Sequence, residues 1–315
     1  MKQLLRNPYF IGYISLYIVV LVLMVLIEHF PASQSIAVLL IVGIGFSSVA
    51  CATSKSSVAL FVSKPAQKRE GVVLILILVY ITVILTFGMD QVKLLFSQQF
   101  SDSPRAKEII TVVYKLLFFV LLPYLAYKIT FKFKLSDFGL AVKAQEFFTK
   151  RNGVILTSMA LVLFLFQFFL GNGAKPLRDG LITGEQMLIG LPLLYILLIV
   201  EVGLVEEFFF RALVQSRLAA ITRSEIGGIF LSALFFGLAH APGFYLRGGG
   251  TLENLGPHPS IFMSVGYSIL ILSVAGFFLS IIWSKTRNLW LVMAIHAFVD
   301  LLPGLLEFNK TWGIS

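Results

Sequence analysis

The chain has 315 residues, 58% of them hydrophobic and only 13% charged, with 30 Phe and a mean hydropathy of +0.91. Soluble domains carry roughly 25% charged residues, so this composition excludes an ordinary soluble protein and makes lipid the solvent. The single Cys51 excludes an intrachain disulfide framework and any CxxC metal site.

A spanning helix needs roughly 20 mostly apolar residues. On that criterion the first four predicted spans are 9–27, 36–52, 71–89 and 109–127. The first lacks a small-residue cleavage pattern after it and is read as a retained helix rather than a secretory signal. Lys115, inside the fourth span, is expected to snorkel its ammonium to the interface. The stretch KITFKFKLSDFGLAVKAQEFFTKR (128–151) is basic and amphipathic, suiting a cytoplasmic surface helix or linker. Five further spans follow at 154–170, 187–205, 226–240, 261–283 and 289–303, with an irregular Gly/Pro loop, GGGTLENLGPHP, at 248–259. The expected fold is an all-α polytopic membrane helix bundle of about eight to nine transmembrane helices. Its expected organisation is an N-terminal group over 1–127, a basic linker over 128–153 and a C-terminal core over 154–315.

With the N-terminus taken as cytoplasmic, 17 Lys and Arg fall on the inside and 7 on the outside. That asymmetry is an orientation signal. It accounts for the formal charge of +9 without a nucleic-acid partner. The chain is expected to be an integral, multi-pass membrane protein whose partners are the lipid bilayer and a membrane protein or peptide.

Chemistry concentrates in the C-terminal group. LIVEVGLVEEFFFRALVQ (198–215) carries three glutamates and an arginine in an apolar run. A carboxylate in hydrocarbon costs at least a few kcal/mol, so it marks a functional site unless a partner explains it. Glu206 and Glu207 project about 100° apart on an α-helix. Glu207 and Arg211 stand at i, i+4 in the order that favours an ion pair, which leaves Glu206 for other work. Glu201 points elsewhere and is expected at a headgroup or loop.

SALFFGLAH (232–240) sets Phe236 and His240 on one face. A turn at Thr222–Glu225 separates them from the glutamates, and both groups lie ~25 Å from it at 1.5 Å per residue. Antiparallel helices would then hold carboxylate and imidazole at one depth. LVMAIHAFVDLLP (291–303) adds His296 and Asp300 at i, i+4. Four costly groups, Glu206, His240, His296 and Asp300, thus converge. A carboxylate and imidazole sharing a water can deprotonate it for attack on a peptide carbonyl. The second imidazole can donate to the developing oxyanion. The same four residues are equally a candidate ligand set for Zn²⁺, and no HExxH motif decides between the two.

EEFFFR (206–211), FGLAH (236–240) and HAFVD (296–300) resemble the EExxxR, FxxxH and HxxxN motifs of the CAAX prenyl protease type II and bacteriocin-processing intramembrane endopeptidases. The resemblance covers roughly 135–303 and implies Glu206 as the catalytic glutamate, working with His240. It implies Glu207, Arg211 and Phe236 as supporting residues and His296 as the oxyanion-side histidine. Asp300 stands where the family usually has Asn. An ionised Asp cannot donate to an oxyanion, whereas a protonated one can. The family is described both as glutamate-type, needing no cofactor, and as metallo-type. The charge count sets the site nearer the outer leaflet, which favours substrate entry from outside or laterally over a cytosolic prenylated tail. The rival functions are a non-proteolytic scaffold or immunity-type peptide-binding protein, and a proton-coupled transporter. Clustering of the polar residues in one half of the chain argues against the transporter.

Overall fold

The computed structural model describes residues 2–54, 65–88, 91–92, 94, 103–140, 149–250 and 252–314. Among these, nine helices are long and apolar enough to cross a membrane. They are α1 Pro8–Glu28, α2 Ala32–Thr53, α3 Glu70–Gly88, α4 Pro104–Phe131, α5 Lys150–Leu170, α6 Gly184–Thr222, α7 Glu225–Arg247, α8 Ile261–Thr286 and α9 Leu289–Trp312. The described residues contain no strand, and the protein is an integral, multi-pass membrane protein. All nine predicted spans are present.

Several helices run past their expected ends, and α6 and α9 are the two that bear on the site. The 39 residues of α6 make a helix ~58 Å long, about twice the ~30 Å of a hydrocarbon core. Glu206 and Glu207 therefore sit well inside a helix, not at a helix end by the membrane surface. The last helix runs through Pro303 to Trp312 instead of ending at the proline.

Side-chain oxygens start most of these helices, because the first-turn N–H groups have no intrahelical acceptor and lipid offers none. Asn7, Ser103, Thr149, Ser224, Ser260 and Asn288 each accept from a first-turn N–H. Thr183 and Gln186 form a reciprocal capping box at the start of α6.

The chain forms two compact units, each taking pieces from both halves of the sequence. The first contains residues 1–88 and 210–287. Its centre is α7 against α8, brought close by small residues. A Cβ at Gly237 would lie 2.3 Å from the Ser268 carbonyl oxygen, and one at Gly276 3.2 Å from Ala233 Cα. Close backbone approach of this kind is what drives helix association in lipid, where apolar burial between helices gains little. Tyr13 of α1 packs edge-on to Phe277 at 4.9 Å and shares a 2.6 Å hydrogen bond with Ser273. Where α3 begins, buried Glu70 receives two hydrogen bonds from buried Arg217, through Nε and Nη2. Asn254 of the 248–259 loop donates to Gln34 at the start of α2, 2.9 Å away.

The second unit contains residues 89–209 and 288–315. Here α6 meets α9 at Gly203, where a Cβ would stand 2.9 Å from the Met293 carbonyl oxygen. The Tyr195 hydroxyl donates to the Ala294 carbonyl at 3.1 Å on the same contact. Residues 141–148 of the expected linker lie outside the described residues. Of its described portion, residues 128–131 end α4, residues 150–153 begin α5, and between them lies one tight turn, Leu135–Phe138, closed by Gly139 at φ 73°. Phe138 is fully buried against Phe208 and Tyr127, so this aromatic residue of the amphipathic pattern faces protein.

Candidate active site

The second unit gathers Glu206, Glu207, His296 and Asp300 around one imidazole. His296 lies on α9 one turn beyond Val292 and is almost completely buried. Its Nδ1 is 2.6 Å from Glu207 Oε1. A carboxylate only accepts, so Nδ1 carries the proton and donates. Nε2 is thereby turned toward Glu206 Oε2 at 3.9 Å and Asp300 Oδ2 at 4.0 Å. Glu207 is fully buried, whereas the Glu206 and Asp300 side chains are 25% and 43% exposed. The buried carboxylate orients the ring, and the two accessible ones flank its working nitrogen.

Local structure explains the meeting. Gly203 lets α6 close on the α9 backbone, and Glu207 follows one turn later. Over Ile199–Gln215 the backbone follows i→i+5 hydrogen bonding, as it does in five other stretches of the described residues. Spacing along one helix pointed only from Glu207 to Arg211. The bond to His296 joins two helices, and sequence reasoning did not find it.

Two other assignments are corrected in this unit. Lys115 does not snorkel, because its Nζ forms a 2.6 Å ion pair with Glu201 Oε1. Glu201 correspondingly faces neither headgroup nor loop. It is nearly buried and lies beside Glu108. Each charge looked interfacial on its own because its partner lies 86 positions away.

In the first unit, His240 sits where α7 is interrupted. Pro242 has no N–H for the Leu238 carbonyl, so the regular helix stops at Leu238 and restarts at Ala241. The His240 Nδ1 is 2.8 Å from the Phe236 carbonyl oxygen. That oxygen can only accept, so the proton is on Nδ1 and the lone pair on Nε2. The ring also packs against Phe236 at 5.1 Å, the shared face the sequence predicted. The Arg211 guanidinium lies over the Phe236 ring at 4.6 Å, a cation–π contact that ties the EExxxR and FxxxH motifs together.

Bonds of ~2.0 Å to one tetrahedral zinc require donors roughly 3.3 Å apart. The Glu206 and Asp300 oxygens stand 3.9 and 4.0 Å from His296 Nε2. Among the described residues no three His, Cys, Asp or Glu side chains have metal-holding geometry. As they stand, these donors do not fit a tetrahedral zinc ion.

The three polar motifs lie in a segment of the chain that resembles a known family. Residues 188–302 match the Rce1-like family, described as type II CAAX prenyl endopeptidase. The Rce1-like segment takes in Glu206, Glu207, Arg211, Phe236, His240, His296 and Asp300, and leaves out Lys115 and the first five helices. It supports a membrane-embedded endopeptidase of the CAAX-protease type. No curated protein and no solved structure matches the chain.

Proposed function

We propose that this protein hydrolyses a peptide bond in a membrane-embedded or lipid-modified protein or peptide, using water activated by Glu206 and His240. The observation that carries the reading is the His296 ring, held through Nδ1 by buried Glu207 with Nε2 turned toward accessible Glu206 and Asp300. A structural histidine would need no accessible carboxylates around its second nitrogen.

In this mechanism Glu206 and the His240 Nε2 lone pair accept the proton as the water oxygen bonds to the scissile carbonyl carbon. The charge that develops on the carbonyl oxygen is met by the Nε2–H of doubly protonated His296. Glu207 and Asp300 compensate the charge of that ring, and a protonated Asp300 would add a second donor. Collapse of the intermediate breaks the C–N bond, and the proton taken from water passes to the leaving amine. Arg211 and Phe236 support the helices that carry the two motifs. The site chemistry needs no metal, and the substrate approaches laterally or from the outer side. The N-terminus is cytoplasmic, as the basic-residue asymmetry supports. An N-terminal tag should accordingly be labelled by an impermeant reagent only after the membrane is opened.

The decisive experiment measures metal content of the purified protein and its cleavage of a membrane-peptide library, with and without chelator, beside Glu206→Gln. Cleavage that survives chelation and disappears in Glu206→Gln, which stays folded and binds substrate, is the expected result. Loss under chelation, restored by stoichiometric zinc, would replace the water mechanism with a metallo-type one. Equal behaviour of wild type and Glu206→Gln in cleavage and in cells would leave the peptide-binding scaffold.

A further inference from the structure

Pro303 stands inside α9, three residues after Asp300. Proline has no N–H, so the Val299 carbonyl loses the i+4 donor that a regular helix supplies. A polar backbone group left unsatisfied in a membrane interior costs several kcal/mol. The side chain of Gln167, on α5, supplies a donor: its Nε2 is 3.3 Å from the Val299 carbonyl oxygen.

Gln167 is half-buried. Its backbone carbonyl accepts from Ala174 N at 3.2 Å as the chain turns beyond α5. A Cβ at Gly173 would fall 2.1 Å from Gln167 Oε1 and 2.9 Å from Pro303 Cγ. Gly173 is thus the residue that lets the turn lie against the amide and the proline ring together. Val299 adjoins Asp300, and Asp300 lies one turn from His296, with 4.0 Å between Oδ2 and Nε2. The orientation of that turn decides where the Asp300 carboxyl points.

We infer that Gln167 is a positioning residue, acting through Val299 to hold the proline-interrupted turn of α9 so that Asp300 faces His296. This deepens the peptidase reading and rests on it. Gln167 lies outside the Rce1-like segment, 188–302, and touches no reacting atom. It replaces a backbone N–H that the α9 sequence lacks.

The inference makes a specific genetic statement. Gln167→Met keeps the side-chain volume and removes the donor. Pro303→Ala returns an N–H to the Val299 carbonyl and makes the donor from α5 redundant. Turnover of a fluorogenic transmembrane peptide cleaved by the wild type should fall about 10- to 100-fold in kcat for Gln167→Met. KM and thermal midpoint should stay near wild type. Hydrogen–deuterium exchange over residues 299–306 should quicken in the same variant. Adding Pro303→Ala should restore both turnover and slow exchange.

Wild-type exchange in Gln167→Met would overturn the inference. So would a loss of turnover that Pro303→Ala does not rescue, because a general packing defect predicts two additive losses. If wild type and Glu206→Gln cleave equally little, the peptidase reading fails. The exchange arm then still decides whether Gln167 holds the turn.

Discussion

At the scale of single residues, Glu207 separates the site from a chance gathering of charges. A fully buried carboxylate is costly unless something uses its charge, and Glu207 uses it to hold the orientation of the His296 ring through a 2.6 Å hydrogen bond. Glu207→Gln keeps the shape and leaves a weaker, neutral acceptor. We expect kcat to fall about 10²-fold, within the range of acid–base contributions, with a thermal midpoint within a few degrees of wild type. Parallel measurements of turnover and melting check this, and a collapse of melting alone would make the residue structural. Glu206, His296 and Asp300, which lie together in the structure, stood out in the sequence because ionisable groups in apolar runs violate a strong physical rule. The Glu207–His296 and Lys115–Glu201 bonds did not. A sequence displays i, i+4 neighbours of one helix, while these partners are 89 and 86 positions apart. Gln167 left one trace, a proline in the middle of an apolar helix that calls for a substitute donor, but nothing in the sequence names the donor.

At the scale of helices, contacts between small residues decide which polar groups meet. Gly203 is the position where α6 comes within van der Waals distance of the α9 backbone, beside Met293, four residues before Glu207. Gly203→Val would force the two helices apart, since its side chain meets a backbone carbonyl that cannot rotate away. The expected outcome is loss of cleavage by at least about 10²-fold, as for misplacement of a catalytic group by an ångström. A cysteine pair introduced across the α6–α9 contact should also crosslink more slowly. Retained cleavage would mean that the site does not depend on this contact. The helix count was legible because length and hydropathy suffice for it. The true ends of α6 and α9 were not, because apolar content falls before the helices stop. Capping by Ser, Thr and Asn marked the starts more sharply than any composition change.

At the scale of the whole molecule, chain order and spatial order differ. The first three helices share a unit with residues 210–287, which carry Arg211, Phe236 and His240. Tyr13 against Phe277 and Ser273, and Arg217 against Glu70, are contacts that no C-terminal fragment can make. Deleting residues 1–88 should therefore yield an aggregated or rapidly degraded product, even though the Rce1-like segment is intact. Size-exclusion chromatography in detergent checks this, and a monodisperse, active fragment would overturn it. Sequence reasoning saw no chemical signature in the early helices and assigned them no role; their role in this unit is packing, which leaves no motif.

The bond between Glu70 and Arg217 has a consequence for synthesis. The two residues are 147 positions apart, and at ~5–20 residues per second a ribosome needs roughly 7–30 s to travel from one to the other. During that interval the carboxylate has no guanidinium. It is the first residue of its helix, a position from which water at the membrane boundary can still hydrate it. A deeper position would leave a naked charge in lipid until the sixth helix arrived, inviting the quality-control machinery to extract the nascent chain. Placement at the helix start lets a slow, discontinuous assembly wait for its second half.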